Sequence, residues 1–470
     1  MRLIKALRYS KSESVAFVGA GGKTTAIFQG ARELSSARTG NALAQTVLVT
    51  SSTHFGIWQA KLADHVYSIR TPQDIQKLEK QIPSGVVLLY GEEKKDRLGG
   101  LQPRLLEGVN RLAKDRSLPL LIEADGAHNR PLKAPAEHEP AIPDFIQVVV
   151  VVAGLSGLGK PLKNEWVHRP EKYTELTGLH PGEIITIEAL EEVLLNKAGG
   201  LKNVPLQARK VVLLNQADTT ELQSQGKIIS EKLLPVYQSS IISSLIRDEA
   251  KFFSNESQTT DDENRIIAVI ERTGGIILAA GSSSRFGEPK QLLFWKGEAL
   301  IRHVVGSAIK AGLSPVVVVV GSSAEDVRDA VKDLPVRIVN NNQWIEGMST
   351  SISAGLGTLI GEVGGAVFLQ ADQPQIPPSL IKSMVEAHQS SLSPIIAPQI
   401  DGQRGNPVLF DADTFPELLA IEGDVGGRVL FSHYPVEWVL WHDPRVLIDI
   451  DSPEDYQIFL RTYPEGEVQT

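Results

Sequence analysis

The sequence GGIILAAGSSSRFGEPK, residues 274–290, decides how the second half of the chain is interpreted. The apolar run 276–278 predicts a buried β-strand, and a small-residue loop and two cations, Arg285 and Lys290, follow it. Backbone N–H groups of such a loop can approach a phosphate closely, because no bulky side chain stands in the way. The stretch therefore predicts a phosphate-binding loop flanked by cations. An ordinary strand followed by a Gly/Ser turn is the simpler alternative.

Length and composition indicate a globular protein with two or three domains. The chain has 470 residues, 42% of them hydrophobic and 22% charged, and a formal charge of −9. This charge argues against a general nucleic-acid binder, which needs a basic surface. The absence of cysteine excludes disulfides, thiolate metal sites and a Cys nucleophile. The apolar runs are too short to span a bilayer and the N-terminus does not resemble a signal peptide, so we expect a cytoplasmic protein without a membrane partner.

Apolar strands alternate with helical stretches throughout the second half, which predicts βαβ units and a mostly parallel sheet. Ligands of such sheets bind at the carboxyl ends of the strands. The run Ala366–Leu369 is followed there by Asp372, whose hard oxygen atoms suit Mg²⁺, although a plain turn residue is the alternative. Hydroxyl side chains are expected to cap two helices, Ser349 or Thr350 in one case and Ser452 in the other.

Five motifs of the second half occur in the order found in one family. They are LAAGSSSRFGEPK at 278–290, NNQWIEGMSTS at 341–351, RGNPV at 404–408, GDVGGR at 423–428 and DIDSPEDY at 449–456. Together they resemble the motifs of the MobA-like nucleotidyltransferases, and within them the molybdenum cofactor cytidylyltransferases of the MocA type. The resemblance implies an α/β fold with a Rossmann-like nucleotidyltransferase domain of three αβα layers, as in the nucleotide-diphospho-sugar transferases.

The same resemblance implies roles for individual residues. The catalytic set would be Arg285, Lys290 and Asp372: the two cations and a Mg²⁺ ion held by Asp372 would neutralise charge on the phosphates. Asp449 or Asp451 would give a second carboxylate to the Mg²⁺. The acceptor would be bound by Arg404, Gly405, Asn406 and Pro407. The nucleotide would be bound by Leu278, Ala279, Ala280, Gly281, Ser282, Ser283, Asn341, Gly347, Ser349 and Ser351.

The implied reaction transfers CMP from CTP to the terminal phosphate of molybdopterin-bound molybdenum and releases pyrophosphate. Ala280 stands where guanylyltransferase relatives typically carry a second glycine, so we expect CTP to be preferred over GTP. Two alternatives stay open at this point. One is a nucleotidyltransferase specific for GTP or a sugar phosphate, and the other is a non-catalytic chaperone of the molybdenum cofactor.

The first half contains another strand–loop–helix pattern. The apolar run Val15–Val18 ends at GAGGKTT, residues 19–25, and a helix is predicted over Ala26–Leu34. These are the parts of a phosphate-binding P-loop. Phe17 replaces the first glycine of the strict motif, so we interpret the segment as a variant P-loop, with a tight strand–helix turn as the alternative. ATP and GTP are the candidate ligands of this half.

Two later strand ends support nucleotide binding by the first half. The segment EADG, residues 123–126, follows an apolar run and places a carboxylate where a P-loop metal is usually bound. The segment NQAD, residues 215–218, is similar to the base-reading NKxD motif of GTPases, with Gln216 in place of lysine. The predicted nucleotide-binding residues are Gly19, Gly21, Gly22, Lys23, Thr24, Thr25, Asp125, Asn215 and Asp218.

A long Pro-rich loop at 123–143 is expected to be functional. Together with segments at 49–55 and 167–171 it resembles the YqeC family, whose members are suspected accessory factors of selenium-dependent molybdenum hydroxylases. The resemblance covers roughly residues 10–250 and implies a molybdenum hydroxylase as client. The loop and its neighbours contribute four candidate ligands of a metal or phosphate, each of which is otherwise an ordinary solvated histidine: His54, His128, His138 and His168.

The acidic, polar segment 254–263 predicts a linker, since it has no hydrophobic period. We therefore divide the chain into a variant P-loop nucleotide-binding domain at 1–253 and a nucleotidyltransferase domain at 264–470.

Overall fold

The computed structural model describes residues 1–10, 13–36, 45–126, 129–245, 265–282 and 286–464. The chain divides into two compact units, Met1–Ile270 and Glu271–Thr470. The predicted linker lies outside the described residues. Within the described ranges, no helix is long and apolar enough to cross a membrane.

The first unit is built on a sheet of nine strands, with helices between most of them. The strands of this unit are β1 Ser14–Gly19, β2 Thr46–Ser51, β3 His54–Gly56, β4 His65–Ser68, β5 Gly85–Tyr90, β6 Glu93–Lys94, β7 Arg97–Gly99, β8 Leu120–Glu123, β9 Leu132–Lys133, β10 Val148–Gly154, β11 Val167–His168, β12 Arg209–Asn215, β13 Ser239–Ser244 and β14 Arg265–Ile270. The helices are Leu3–Ala6, Lys23–Ser35, Pro72–Lys80, Pro103–Asp115, Pro170–Thr177, Ile187–Leu195 and Thr220–Leu233.

The strand order of the large sheet is β14-β13-β12-β10-β1-β8-β2-β5-β4. All neighbours are parallel except β13 and β14. The central strand β10 is fully buried, and its valine-rich sequence suits a strand covered on both faces. The carboxyl ends of β1, β8, β10 and β12 therefore lie side by side at one edge of the sheet.

The segment 265–270 belongs to the first unit, although its position after the linker predicted it to be part of the nucleotidyltransferase domain. It pairs antiparallel with β13, with Val269 opposite Ile241. Val269 and Ile270 are buried by this pairing, which explains the position of the segment. The boundary at 264 is corrected accordingly, and the second unit begins at Glu271.

The second unit is also built on a mainly parallel sheet. Its strands are β15 Thr273–Ala279, β16 Phe294–Trp295, β17 Glu298–Ala299, β18 Val316–Val320, β19 Arg337–Asn340, β20 Gly365–Gln370, β21 Ile395–Ile400, β22 Gln403–Arg404, β23 Val408–Asp411 and β24 Val436–Leu440. The helices are Leu300–Lys310, Ala324–Val331, Met348–Gly357, Pro378–Ser391, Phe415–Leu419 and Pro453–Thr462.

This sheet has the order β19-β18-β15-β20-β23-β21-β22, with β24 paired to β21. Alternate residues of β15 point to opposite faces: Ile277 packs into the core beneath the helix Leu300–Lys310, and Ile276 packs into the core beneath the helix Met348–Gly357. The sheet is thus covered on both faces, as three αβα layers require. The predicted α/β class is confirmed for both units.

The two predicted helix caps differ in outcome. Ser452 caps the last helix, since its Oγ accepts a hydrogen bond of 3.2 Å from the Asp455 N–H. The expected cap at Ser349 or Thr350 is wrong, because the helix already begins at Met348 and Gly347 is its N-cap. Gly347 has a φ of +119°, and a Cβ there would lie 2.5 Å from the Asp424 backbone N, so this turn requires glycine.

Candidate functional sites

A cavity of about 400 Å³ lies at the carboxyl ends of β15 and β20 in the second unit. The loop after β15 forms one wall, and small side chains leave room there for a ligand. Nine of the predicted residues line this cavity: Leu278, Ala279, Ala280, Gly281, Lys290, Gly347, Ser351, Asp372 and Asp451.

Lys290 is the electrostatic centre of this cavity. Its Nζ lies 2.9 Å from Asp372 Oδ2 and 2.9 Å from Asp451 Oδ1. Partial burial lowers the pKa of Lys290, but the two carboxylates outweigh this effect and hold the pKa above its usual value. The ammonium therefore stays charged, and its partners are accessible from solvent, with 28% of the Asp372 side chain and 67% of the Asp451 side chain exposed.

Asp449 is near this pair but has a different hydrogen-bond partner. Its Oδ1 accepts a hydrogen bond of 2.6 Å from Gln373 Nε2. Burial raises the pKa of Asp449; the bond from Gln373 opposes this effect, and the charges of Asp372 and Asp451 reinforce it. Within the described residues no three His, Cys, Asp or Glu side chains form a preassembled metal cluster.

Three other predicted nucleotide-binding residues, Asn341, Ser349 and Ser282, do not line this cavity. Asn341 is buried and donates hydrogen bonds to Thr350 Oγ1 and Ser351 Oγ, at 2.8 and 2.9 Å, so it supports the wall of the cavity from behind. Ser349 is buried in the first turn of its helix, and Ser282 is exposed in the loop after β15. Ser283 and Arg285 lie outside the described residues.

A second cavity of about 340 Å³ adjoins the first and shares four lining residues with it. Two of the residues predicted to bind the acceptor, Arg404 and Asn406, line this cavity, whereas Gly405 lies next to Ile400 and Leu447. Its other lining residues include a second cation and several aromatic rings: Arg428, Phe368, Phe410 and Phe431. The guanidinium of Arg404 lies 4.7 Å from the centre of the Phe431 ring. Two cations on an aromatic wall suit an anionic, planar ligand.

Asp424 lines both cavities and has no role in the sequence analysis. Its Oδ1 accepts a hydrogen bond of 3.2 Å from the Met348 N–H, at the start of the helix that follows Gly347. The motif GDVGGR contains this residue, but only the folded chain brings residues 347 and 424 together. Asp424 therefore connects the loop that borders the first cavity with the segment that borders the second.

In the first unit, a cavity of about 1070 Å³ lies at the carboxyl ends of β1, β8 and β12. This volume is large enough for a nucleotide. Seven predicted residues line it: Gly21, Gly22, Lys23, Thr24, Thr25, Asn215 and Asp218. His54 also lines it, whereas His138 and His168 do not and His128 is outside the described residues.

The backbone of the loop after β1 is hydrogen-bonded to other segments of the first unit. The N–H of Gly19 donates to Asp125 Oδ2 (3.0 Å), that of Ala20 to the Val152 carbonyl (2.8 Å) and that of Gly21 to the Arg130 carbonyl (3.0 Å). These three amides are therefore occupied by the protein. The amides available to an anion are those around Gly22 and the first turn of the helix Lys23–Ser35, whose N-cap has no side-chain hydrogen bond.

Lys23 and Asp125 form the centre of a buried charge network. Lys23 Nζ lies 3.0 Å from Asp125 Oδ1, and Lys133 Nζ lies 2.8 Å from Asp125 Oδ2. Lys133 also pairs with Glu139 at 2.7 Å. Asp125 is only 2% exposed and does not line the large cavity, so the structure places it in this network rather than toward a ligand there.

Glu123 was not among the predicted site residues, yet it lines the cavity. It is 7% exposed, and its Oε2 accepts a hydrogen bond of 3.4 Å from Thr24 Oγ1. Burial raises the pKa of Glu123 to about 7, although the charge of Lys23 lowers it in part. The sequence signal for this residue is its place as the last residue of a buried strand, two positions before Asp125.

The side-chain amide of Asn215 is hydrogen-bonded to other residues of the first unit. Its Nδ2 donates to the Gly21 carbonyl (2.8 Å), and its Oδ1 accepts from Ser243 Oγ (3.0 Å) and the Leu245 N–H (2.9 Å). These contacts tie β12 to the glycine loop. Asp218 lines the cavity and accepts a hydrogen bond from Ser244 Oγ.

The fold and the lysine–aspartate cavity of the second unit define a nucleotidyltransferase domain, and the family model for the MobA-like NTP transferase domain matches residues 275–438. The family model for the YqeC protein matches residues 15–171. The uncharacterized protein YqeC of Escherichia coli (strain K12) is 30% identical over 224 residues, which make up 48% of this chain and 82% of that protein. The chain therefore belongs to the YqeC family and carries a MobA-like NTP transferase domain in its second half.

Other proteins are similar to parts of this chain. Nicotine blue oxidoreductase of Paenarthrobacter nicotinovorans is 30% identical over 190 residues, covering 38% of this chain and 92% of that protein. A probable molybdenum cofactor guanylyltransferase of Bacillus cereus (strain G9842) is 34% identical over 110 residues, covering 23% of this chain and 49% of that protein. Among solved structures, Rv0371c from Mycobacterium tuberculosis H37Rv is 27% identical with a TM-score of 0.37, covering 40% of this chain and 98% of that one.

Proposed function

We propose that the second unit is a Mg²⁺-dependent nucleotidyltransferase that transfers CMP from CTP to the terminal phosphate of molybdopterin-bound molybdenum. The observation that carries the proposal is the pairing of Lys290 with Asp372 and Asp451 in a cavity bordered by the small-residue loop. An adjoining cavity with two arginines gives the acceptor a place beside the nucleotide.

In this reaction the acceptor phosphate attacks the α-phosphorus of CTP. A new P–O bond forms, the bond between the α-phosphorus and the bridging oxygen breaks, and pyrophosphate leaves. No general base is needed, because a phosphate monoester with a second pKa of about 6 is largely dianionic at neutral pH. Lys290 neutralises negative charge that builds up on the triphosphate, and the loop 278–282 lets its backbone approach the phosphates.

The carboxylate set is chemically suited to Mg²⁺. Asp372 and Asp451 offer hard oxygen ligands within reach of one ammonium, and Asp449 lies close enough to both for their charges to raise its pKa. Asp372, with Asp451 or Asp449, would hold the ion. When bound, Mg²⁺ supplies charge neutralisation between the phosphates.

The adjoining cavity supports molybdopterin as the acceptor. Arg404 and Arg428 provide positive charge for a phosphate, and Phe431 and Phe410 provide apolar surface for a planar heterocycle. The relationship to a probable molybdenum cofactor guanylyltransferase points to the same class of acceptor, with GTP as the second candidate nucleotide. Ala280, which is buried and lines the nucleotide cavity, favours the smaller base of CTP.

We also propose that the first unit is a nucleotide-binding accessory domain that serves a molybdenum hydroxylase client, with ATP or GTP as its ligand. The cavity beside Lys23–Thr25 supports nucleotide binding, and membership of the YqeC family supports the accessory role.

A pyrophosphate-release assay tests the proposed transferase. The chain is incubated with Mg²⁺, purified molybdenum cofactor and each of the four nucleoside triphosphates in turn. We expect release with CTP that depends on both Mg²⁺ and the cofactor. Release with GTP alone would replace the cytidylyl assignment, and cofactor binding without release would support the chaperone instead. Turnover of nicotine blue without pyrophosphate release would instead favour an activity like that of the oxidoreductase relative.

A further inference from the structure

Another cavity of the first unit lies beside the large one. It has a volume of about 390 Å³ and lies at the carboxyl ends of β2, β4 and β5, further along the same edge of the sheet. His54 and Arg97 line both cavities, so the two adjoin. We call this one the basic cavity, after Arg70, Lys94 and Arg97, which line it together with His54. Of its lining residues, only His54 has a role predicted from the sequence.

Positive charge predominates in the basic cavity. Arg70, Lys94 and Arg97 line it, against a single carboxylate, that of Glu92. Arg70 and Lys94 form no ion pair with any residue that the structure describes. Arg97 Nε lies 3.8 Å from Asp96 Oδ2, but the two side chains are 50% and 81% exposed, so this pair is weak. The three positive charges are therefore available to a ligand, and a cavity lined mainly by one sign of charge attracts the opposite sign.

Backbone contacts hold two of these cations at the edge of the sheet. Lys94 and Arg97 lie on the hairpin of β6 and β7, and this hairpin folds back against the end of β5. The Gly91 N–H donates to the Gly99 carbonyl at 2.8 Å. A Cβ at position 91 would lie 2.7 Å from the Gly100 carbonyl oxygen, so this close approach requires glycine. The hairpin is thus packed directly onto the strand ends.

Arg70 is held at the same cavity from the other side. Its Nε donates to Ser68 Oγ at 3.1 Å, and Ser68 Oγ donates to the Gly91 carbonyl at 2.9 Å. The two terminal nitrogens of Arg70 donate no hydrogen bond to any described residue. Such a planar pair of N–H groups matches two oxygen atoms of a phosphate.

We propose that the basic cavity binds the phosphate group of a second small molecule, next to the cavity proposed for the nucleotide. Arg70 and Lys94 bind the phosphate, and Arg97 lies where the two cavities adjoin. Three cations against one carboxylate suit a phosphate monoester, which carries nearly two negative charges at neutral pH. The site does not depend on nucleotide binding by the first unit, because Arg70 and Lys94 do not line the large cavity.

The test uses inorganic phosphate as the probe and phenylglyoxal, which modifies arginine side chains, as the reporter on the full chain. Peptide mass spectrometry follows each arginine separately, so phosphate bound in other cavities does not affect the readout at Arg70. Sodium chloride keeps the ionic strength constant, which excludes general screening as the cause. We expect modification of Arg70 to slow about 10-fold at a phosphate concentration of ten times Kd. Arg111, which is exposed and lines neither cavity, is the control and should react at an unchanged rate.

Neighbouring residues of the hairpin supply matched variants. Lys94→Gln removes a cation of the basic cavity and should raise the Kd for phosphate by about 10-fold, as expected for the loss of a hydrogen bond between charged groups. Lys95→Gln removes the same charge from an exposed side chain that does not line the cavity, so the Kd should stay nearly unchanged. Glu92→Gln removes the carboxylate of the cavity and should lower the Kd, with Glu93→Gln, which lies outside the cavity, as its control.

Three results would overturn the inference, each in a different way. Unchanged modification of Arg70 at every phosphate concentration would show that the cavity binds no phosphate. Equal rises of Kd in Lys94→Gln and Lys95→Gln would show that phosphate responds only to the general surface charge. Protection of Arg70 by ATP but not by inorganic phosphate would make the cavity an extension of the nucleotide site. Pyrophosphate release by the second unit does not enter this test, so the inference can fail while the proposed transferase stands.

Discussion

Lys23 and Lys290 each form an ion pair with an aspartate, but the two pairs differ in solvent exposure. Each follows a glycine-containing loop after a parallel strand, and each pairs with aspartate at about the same distance, 3.0 Å for Lys23 with Asp125 and 2.9 Å for Lys290 with Asp372. The first pair has side chains only 4% and 3% exposed, whereas the second has side chains 16% and 28% exposed.

Burial decides what each lysine can do. Removing one partner of a buried pair leaves an uncompensated charge in the protein and strongly destabilises the fold. A partly exposed pair contributes little to stability. Either side chain can therefore replace its partner with a ligand at little cost in folding free energy. We therefore expect Lys23 to act mainly as a structural residue of the glycine loop, and Lys290 to be the lysine that meets a substrate.

The largest expected effect is on the chemistry of the second unit. Asp372→Asn keeps the size of the side chain but removes an anionic ligand, so pyrophosphate release should fall by about 100-fold or more. The change is measured as kcat with CTP and molybdenum cofactor, with Asp401→Asn, an exposed turn residue, as the control. Near-normal release by Asp372→Asn would contradict the proposed role of the carboxylate.

The comparison of the two lysines is tested directly by alanine substitution. Lys23→Ala should lower the free energy of unfolding by about 3 kcal/mol, because Asp125 loses a buried partner, and should leave pyrophosphate release nearly intact. Lys290→Ala should cost at most about 1 kcal/mol of stability but should weaken nucleotide binding and slow the reaction. Urea denaturation and the pyrophosphate assay measure the two effects. Equal loss of stability in both variants would show that burial does not separate the two lysines.

A pH-dependent effect tests the burial of Glu123 in the first unit. The pKa of Glu123 rises from 4.5 to about 7 on folding, so its contribution to stability is present at low pH and is lost as the pH rises through 7. Glu123→Gln mimics the protonated form, so the variant should be more stable than the natural chain at pH 8, by up to about 3 kcal/mol. The difference should shrink as the pH is lowered to 5. Urea denaturation with a metal chelator measures it, and a difference that does not vary with pH would contradict the burial of this carboxylate.

The smallest expected effect concerns the base. Ala280→Gly should relax the preference for CTP over GTP, since removal of a methyl group widens the space beside the base. Steric discrimination of this kind is worth about 1–3 kcal/mol, or about 10–200-fold in kcat/KM. Measuring kcat/KM for both nucleotides on the natural chain and the variant decides the matter. Equal values for the natural chain would remove the cytidylyl assignment.

Much of the fold followed from local sequence because strands and loops have local causes. The apolar runs at 15–18, 276–279 and 316–320 are strands in the structure, and the glycine loops lie at their carboxyl ends. The start of the helix after Gly347 was missed, because the close approach of Asp424 to that glycine is a contact between distant parts of the chain. The edge strand at 265–270 was assigned to the wrong unit for a similar reason, since its partner β13 precedes the predicted linker.

The sequence alone determined the α/β class and both families, and it identified nine of the residues that line the cavity at the carboxyl ends of β15 and β20. Such features depend on residue type and spacing, which are visible along the chain. Only the tertiary structure decided which carboxylate lines the cavity of the first unit. Lys133, from the Pro-rich loop, neutralises Asp125 in the interior, and Glu123, two positions earlier, is left at the cavity wall. Charges in sequence show which groups are available, but burial and partners from distant segments determine which of them are already paired.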